Sequence, residues 1–295
     1  MKSKVLVILG PTAVGKSDLA VKMAHLYNGE VISADSRQVY TGLDIGSGKI
    51  TKKEMQGVPH HLLDVMSPKK VFTVDLWKEK AEKAIADILS RGKLPIICGG
   101  TGFYIQSVVD NIILPSVPPN KALRKELEMK SVEELFGMLK KIDQKRSKNI
   151  DKHNSVRLVR AIEIALALGK VPKIKKEKST YDFIQIGLTL PDEILKERIK
   201  ARLLKRLPKM IIEVRKLHLD GLSWKRLESL GLEYRFTALY LQKKISKSKM
   251  LERLNTEIGQ YARRQMQWFK RDARIKWFEP SHTEEIYTWI QTISY

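Results

Sequence analysis

The sequence predicts an α/β fold, a parallel sheet flanked by helices and interrupted by a helical insertion. Three observations carry that reading. Val5-Leu6-Val7-Ile8-Leu9 is a continuous apolar run, as expected of a strand buried on both faces. It leads into Gly10-Pro11-Thr12-Ala13-Val14-Gly15-Lys16-Ser17, which fits G-x-x-x-x-G-K-[ST] and precedes apolar residues at helical spacing (Leu19, Ala20, Met23, Ala24, Tyr27). Two further buried-strand runs, around Val31-Ile32 and Pro95-Ile96-Ile97-Cys98, are separated by helical stretches, the order of a parallel sheet. Strand, phosphate loop and helix in succession define a P-loop NTPase-like core.

The loop fixes the ligand chemistry. Its glycines permit a tight turn, its backbone N–H groups face inward, and the helix from Lys16 aims its positive dipole end at the same point. Lys16 adds a point charge and Ser17 a hydroxyl for Mg²⁺. A diphosphate or triphosphate is implied, but no reaction. The second strand ends at Asp35, where ligands of open α/β sheets bind. There it could ligate Mg²⁺, act as a general base or cap the next turn. Gln38 offers both a donor and an acceptor, which suits an adenine edge.

Residues 42–49 carry three glycines and are expected to loop near the site. Residues 58–65 hold a short strand candidate led by His60 and His61. Adjacent strand residues point oppositely, so structural hydrogen bonding is expected of the two histidines, not a shared metal. Helical spacing over 72–90 stops at Arg91-Gly92. The strand at 95–98 then runs into Gly99-Gly100-Thr101-Gly102, placing the Thr101 hydroxyl on the same rim as Lys16 and Asp35.

Leu114-Pro115-Ser116-Val117-Pro118-Pro119 marks a boundary, since it can continue neither a helix nor a central strand. Beyond it Ser131-Val132-Glu133-Glu134 reads as a capping box, and Asn154 or Ser155 caps a helix over 156–168 closed by Gly169. Arg157 and Arg160 share a face of that helix. Residues 173–178 read as a mobile basic linker, and 183–190 as a returning strand. A helix from Pro191-Asp192 bears the stripe Arg198, Arg202 and Arg206 before Pro208, which is expected to interrupt it. The stripe could lean across the phosphate site as a clamp. The last third interleaves cations and aromatics (Trp224, Arg235, Tyr261, Arg264, Trp268, Arg271), suited to an unpaired RNA strand. Ile275 to Phe278 looks like a final strand. The chain thus divides into 1–112, the first part of the core; 113–180, the insertion; and 181–295, the rest of the core with a basic and aromatic helical end.

Composition narrows the partner. Among 295 residues, 55 Lys and Arg face 33 Asp and Glu, a formal charge of +22. Such an excess favours a polyanion, nucleic acid first. The single cysteine, Cys98, allows no internal disulfide and no cysteine-rich zinc site. No apolar run approaches the roughly 18–20 residues that cross a bilayer, and Met1-Lys2-Ser3-Lys4 leads into a strand, not a signal peptide. A cytoplasmic protein without membrane partners is expected.

Taken together, the loop at 10–17, Asp35-Ser36-Arg37-Gln38-Val39-Tyr40, Gly42-Leu43-Asp44-Ile45-Gly46, Val58-Pro59-His60-His61-Leu62-Leu63-Asp64, Gly99-Gly100-Thr101-Gly102-Phe103-Tyr104, Arg157-Leu158-Val159-Arg160-Ala161-Ile162-Glu163 and Arg263-Arg264-Gln265-Met266-Gln267-Trp268-Phe269 resemble the tRNA dimethylallyltransferases. The resemblance covers essentially the whole chain and implies the bacterial type, since one cysteine excludes the zinc finger of eukaryotic relatives. It implies transfer of a prenyl group from dimethylallyl diphosphate to N6 of the adenosine next to the anticodon. Gly10, Pro11, Thr12, Ala13, Val14, Gly15, Lys16 and Ser17, with Arg198 and Arg202, would hold the diphosphate, and Ser17 would reach Mg²⁺. Asp35 matches the general base and Thr101 a hydroxyl that positions the amine. Asp35, Ser36, Arg37 and the adenine reader Gln38, with Val156, Arg157, Leu158, Val159 and Arg160, match tRNA-contacting stretches. A monomer is expected. One departure is that Leu207-Pro208-Lys209-Met210-Ile211-Ile212 replaces the family's Met-x-x-Gly-Leu pattern. The rivals are a P-loop nucleoside or nucleotide kinase, an adenylate isopentenyltransferase acting on free AMP, ADP or ATP, and an RNA-binding protein with a vestigial loop.

Overall fold

The computed structural model describes residues 2–294. The chain forms two compact units, one built from everything up to Asn111 together with everything from Lys178 onward, the other from Ile112–Glu177. In the first unit run β1 (Lys4–Leu9), α1 (Lys16–Leu26), β2 (Gly29–Ala34), α2 (Lys52–Met55), β3 (His60–His61), α3 (Val74–Ser90), β4 (Leu94–Gly99) and α4 (Gly102–Val109). The second unit holds β5 (Ile112–Ile113), α5 (Lys121–Leu127), α6 (Val132–Ile142), α7 (Gln144–Ser147), α8 (Ser155–Leu168) and β6 (Lys175–Lys176). The first unit resumes with β7 (Asp182–Leu188), α9 (Asp192–Leu219), α10 (Trp224–Ser229), α11 (Leu232–Leu241), α12 (Lys247–Phe269), β8 (Lys276–Phe278) and α13 (Thr283–Ser294).

The sheet of the first unit has the order β3-β2-β4-β1-β7-β8, with every neighbouring pair parallel. The continuous apolar run of β1 now has its cause. Val5, Val7 and Leu9 enter one core cluster with Trp77 and Ile85 of α3, while Leu6 and Ile8 enter another with Leu19 of α1 and Leu203 of α9. A strand with two dry faces has no polar side to alternate with. Each such aliphatic side chain adds roughly 1.5–3 kcal/mol of burial, so β1 anchors both halves of the core. Trp77 stacks on Tyr104 of α4 at 4.9 Å and donates its indole N–H to the Ser33 carbonyl at 3.0 Å. The strand ends that carry Asp35 and Thr101 are thereby braced from below.

At the opposite end of the sheet the two histidines are structural, as expected. His61 Nε2 meets the buried Glu30 carboxylate at 2.7 Å, and His60 Nδ1 meets the Val58 carbonyl at 2.8 Å. Hydrogen bonding from Arg91 first, then Lys93 and His61, holds Glu30 well below the usual carboxylate range despite its burial. The strand there is only two residues long, because Leu62 and Asp64 adopt positive φ (62° and 56°).

Two expectations need correction. Helix α9 is unbroken from Asp192 to Leu219 with Pro208 inside it. Pro208 sits on the exposed face, where water can take up the carbonyl it leaves unbonded, while Leu203, Leu207, Met210 and Val214 hold both halves on the core. The presumed basic linker is also partly ordered, since Lys175 and Lys176 pair antiparallel with Ile113 and Ile112.

The second unit packs α5, α6 and α8 around Leu127, Leu135, Leu139, Leu158, Ala161 and Ile162. Its capping box forms as expected, with Ser131 and Glu134 bonding reciprocally, and Asn154 caps α8 through the Arg157 N–H. Burial raises the Glu163 carboxyl, but hydrogen bonds from Arg124, Arg160 and the Asn120 N–H outweigh it and hold the group near about 2. No helix among the described residues is long and apolar enough to cross a membrane.

Candidate active site

The loop after β1 takes a conformation that few side chains tolerate. Gly10 has φ 144°, and a Cβ there would strike the Leu188 carbonyl oxygen of β7. Gly15 caps α1 at φ 105° and, having no side chain, makes no capping bond; among the described residues no side chain is bonded to the first-turn amides. Those N–H groups are left for an anion, at the positive end of an 11-residue helix. Lys16 Nζ curls over the loop and donates to the Pro11 carbonyl at 2.6 Å. Burial, helped by the neighbouring Arg202 cation, draws its ammonium down to about 8.

Lys16, Ser17 and Asp18 open on a cleft of about 350 Å³ whose far wall is α9. Arg198, Arg202 and Arg206, spaced at i, i+4, all line it, so the predicted stripe does lean over the phosphate loop. Arg202 Nη2 donates to the Gly48 carbonyl at 3.5 Å. Gly48, at φ 66°, lies so close that a Cβ would strike both the Arg202 and Arg206 guanidiniums. Burial and then the Arg202 charge push Arg206 down to about 10, still a cation near neutrality. A smaller pocket of mixed character adjoins the cleft, with Ile45, Ile199, Leu203, Met210 and Ile258 on its apolar side and Arg202, Arg206 and Glu233 on its polar side.

On the next strand end Asp35 divides its two oxygens. Oδ1 accepts from the backbone N–H groups of Arg37 (2.8 Å) and Gln38 (3.3 Å), the turn-capping role the sequence left open. Oδ2 makes no hydrogen bond among the described residues, and the carboxylate is near enough to act electrostatically on Lys16 and Arg202. Thr101 ties β4 to β2, since its Oγ1 accepts from the Ser36 N–H at 3.0 Å and its own N–H donates to the Ala34 carbonyl at 3.1 Å. Gln38 donates its side-chain N–H to the Gly48 carbonyl at 3.4 Å. Lys16, Asp35 and Thr101 therefore converge at one rim.

In the second unit Val156 and Arg157 are exposed at the start of α8. Leu158, in the same expected tRNA-contacting stretch, has its side chain fully buried among leucines of α5 and α6. Arg160 spends part of its charge on Glu163 at 2.6 Å.

Three contributions escaped the sequence. Buried Gln265 of α12 accepts the Thr12 N–H at 2.9 Å and donates to the Gly100 carbonyl at 2.8 Å, joining the phosphate loop to the β4–α4 turn. Trp268, read as a candidate for base stacking, packs edge-on to Phe103 and fills the space over Gly102. Glu213 of α9 grips the loop at 44–46. A glutamine in an Arg/Trp-rich helix carries no local sign of such a role.

The family model "IPP transferase" matches residues 38–272. "tRNA dimethylallyltransferase 2" of Treponema denticola is 44% identical over 94% of this chain and 96% of its own length. The chain belongs to the tRNA dimethylallyltransferase (IPP transferase) family. The relative from Anoxybacillus flavithermus, a "tRNA dimethylallyltransferase", is 39% identical over 95% of this chain and 91% of its own. Among solved structures, the full-length tRNA isopentenylpyrophosphate transferase of Bacillus halodurans aligns over 99% of this chain and 96% of that one, with TM-score 0.74 at 35% identity. A eukaryotic dimethylallyltransferase acting on tRNA aligns with TM-score 0.76 at 28% identity, over 90% of this chain and 69% of that one. The six-stranded parallel sheet and flanking helices of this chain thus belong to a fold shared with both structures.

Proposed function

We infer that this family member transfers a dimethylallyl group from dimethylallyl diphosphate to N6 of the adenosine beside the anticodon in tRNA, releasing diphosphate. The observation that carries the reading is the juxtaposition of a cationic anion cradle (Lys16, Arg202 and the uncapped amides of α1) with the free oxygen of Asp35. N6 attacks C1 of the prenyl chain, the C–O bond breaks, and its electron pair leaves with the diphosphate. Asp35 Oδ2 takes the proton that N6 sheds. Lys16, Arg198, Arg202 and the loop amides stabilise charge growing on the leaving oxygens. The apolar side of the smaller pocket, Ile45, Ile199, Leu203, Met210 and Ile258, accepts the five-carbon tail, and Gln38, held by the Gly48 carbonyl, reads the adenine edge.

Ser17 and Asp18 face the cleft, and no group of three His, Cys, Asp or Glu side chains among the described residues could hold a metal. So sparse a donor set suits Mg²⁺ that arrives with phosphate oxygens and keeps its waters. Ser17 would hold it, and bound there it would supply neutralising charge to the diphosphate. Val156, Arg157 and the basic surface of the second unit are assigned to the RNA backbone. A cytoplasmic monomer completes the proposal, supported by the RNA substrate class of its relatives; light scattering of the purified chain tests the monomer.

Radiolabelled dimethylallyl diphosphate offered with tRNA and, separately, with AMP tests the function. The reading requires label in RNA at a single adenosine. Label in AMP alone would make the chain an adenylate isopentenyltransferase, and label in neither would remove the transferase reading.

A further inference from the structure

The loop at 43–48 forms one wall of the cleft and of the smaller pocket: Gly48 borders the first, and Ile45, Gly46 and Ser47 border the second, with Ile45 on its apolar side. The loop closes on itself through the Gly48 N–H to the Ile45 carbonyl (3.1 Å) and the Lys49 N–H to the Asp44 carbonyl (2.9 Å), while its earlier amides turn to α9. Three consecutive backbone N–H groups, of Asp44, Ile45 and Gly46, donate to the Glu213 carboxylate at 2.9, 2.6 and 3.0 Å. The next, Ser47 N–H, donates to the Tyr234 hydroxyl at 3.1 Å, which itself donates to Glu213 at 2.9 Å. Tyr234 is 1% exposed, and a Cβ on Gly46 would overlap its ring. Burial, then the Glu213 charge, raises the Tyr234 hydroxyl well above its ordinary range and keeps it a donor.

Glu213 lies roughly two turns beyond Arg206 and three beyond Arg202, on the same face of α9. One helix face therefore grips the wall twice. Arg202 reaches the Gly48 carbonyl, and the Glu213 carboxylate collects the amides of residues 44–46 before it. The Gly48 carbonyl is also the acceptor for Gln38.

We propose that Glu213, with Tyr234 behind it, is a positioning residue that holds the 43–48 wall in place and so sets the size of the pocket for the prenyl tail of the donor. The inference rests on the transferase reading. It adds a residue outside the reacting groups whose loss alters donor selection more than RNA binding. An isoprenoid has no polar handle on its tail, so only the placement of apolar walls such as Ile45 can measure its length.

The test uses the full chain with an anticodon stem-loop RNA and two donors, dimethylallyl diphosphate and the longer geranyl diphosphate. Glu213→Gln puts an NH₂ against at least one backbone N–H, and Tyr234→Phe removes only the hydroxyl. Leaving a wall amide unsatisfied raises the KM for dimethylallyl diphosphate about tenfold in Glu213→Gln and about threefold in Tyr234→Phe. In both variants the kcat/KM ratio of geranyl to dimethylallyl diphosphate rises, while the Kd for RNA stays within about twofold of wild type. Unchanged donor KM and chain-length ratio in Tyr234→Phe would overturn the proposal, and so would RNA affinity falling in step with donor affinity. If Glu213→Gln does not fold, Tyr234→Phe decides alone. A wild-type chain that transfers neither donor would defeat the transferase reading instead.

Discussion

The Lys16 ammonium gives the anion cradle a pH signature. Its folded value, drawn down to about 8 by burial, implies that its charged fraction falls from about 0.9 at pH 7 to about 0.1 at pH 9. An anion that needs the ammonium is bound about tenfold more weakly at pH 9 than at pH 7 through this group alone. Calorimetric titration of inorganic pyrophosphate measures it, with Lys16→Ala as the reference that removes the ligand's own ionisation from the comparison. At pH 7 the wild type should bind about 10- to 100-fold more tightly than Lys16→Ala, the range of one hydrogen bond to a charged group. That advantage should shrink toward pH 9, and Lys16→Arg should keep its affinity across the window. The stability sign runs the other way. Because the unfolded chain holds the Lys16 proton up to about 10.5 and the folded chain only to about 8, the stability of the ligand-free protein rises with pH between those values through this residue. Lys16→Ala should thus raise the melting temperature at pH 7, with the gain vanishing by pH 10.5. A wild-type to alanine affinity ratio that does not change between pH 7 and 9 would refute a buried, depressed Lys16 at the anion site.

Other perturbations probe the rest of the frame. Asp35→Asn keeps an oxygen for the Arg37 and Gln38 amides, so folding and RNA binding should survive while turnover drops by about 10²- to 10⁴-fold; unchanged turnover would remove Asp35 as the base. Gln265→Leu strands the Thr12 N–H and the Gly100 carbonyl, costing about 2–5 kcal/mol in denaturant unfolding and weakening pyrophosphate binding, whereas a neutral result would make that tie incidental. Pro208→Ala, on the wet face of a continuous helix, should stabilise the chain by about 1–3 kcal/mol, and a lower melting temperature would contradict an unbroken α9.

Much of the candidate site is legible in the sequence, because its parts are local. The strand, glycine turn and helix from Val5 to Tyr27 lie in one stretch, and Asp35 and Thr101 each follow an apolar run that can only be a buried strand. The arginine stripe of α9 was readable from its spacing. What lay hidden were ties made across the chain. Gln265 reaches Thr12 over more than two hundred residues, and Glu213 reaches Asp44 over more than a hundred and fifty. Neither residue differs in type from an ordinary polar position on a surface helix. Pro208 misled because its local penalty holds while the packing of Leu203, Leu207 and Met210 on both sides outweighs it. The burial of Leu158 was not legible from its motif, since a stretch expected at a surface can include its own core residue. In the aromatic end of the chain, core and surface positions look alike in sequence, and Trp268 packs against the Gly102 turn.

The ends of β1 and β2, which flank β4 in the sheet, carry a phosphate cradle and a proton acceptor respectively. A crystal structure with a sulfur-bridged dimethylallyl diphosphate analogue and an anticodon stem-loop tests this pairing most directly. The account predicts the diphosphate against the amides of residues 13–17 beneath Arg202, with Asp35 Oδ2 about 2.6–3.2 Å from the adenine N6. A diphosphate seated elsewhere, or an adenine presenting another atom to Asp35, would contradict it.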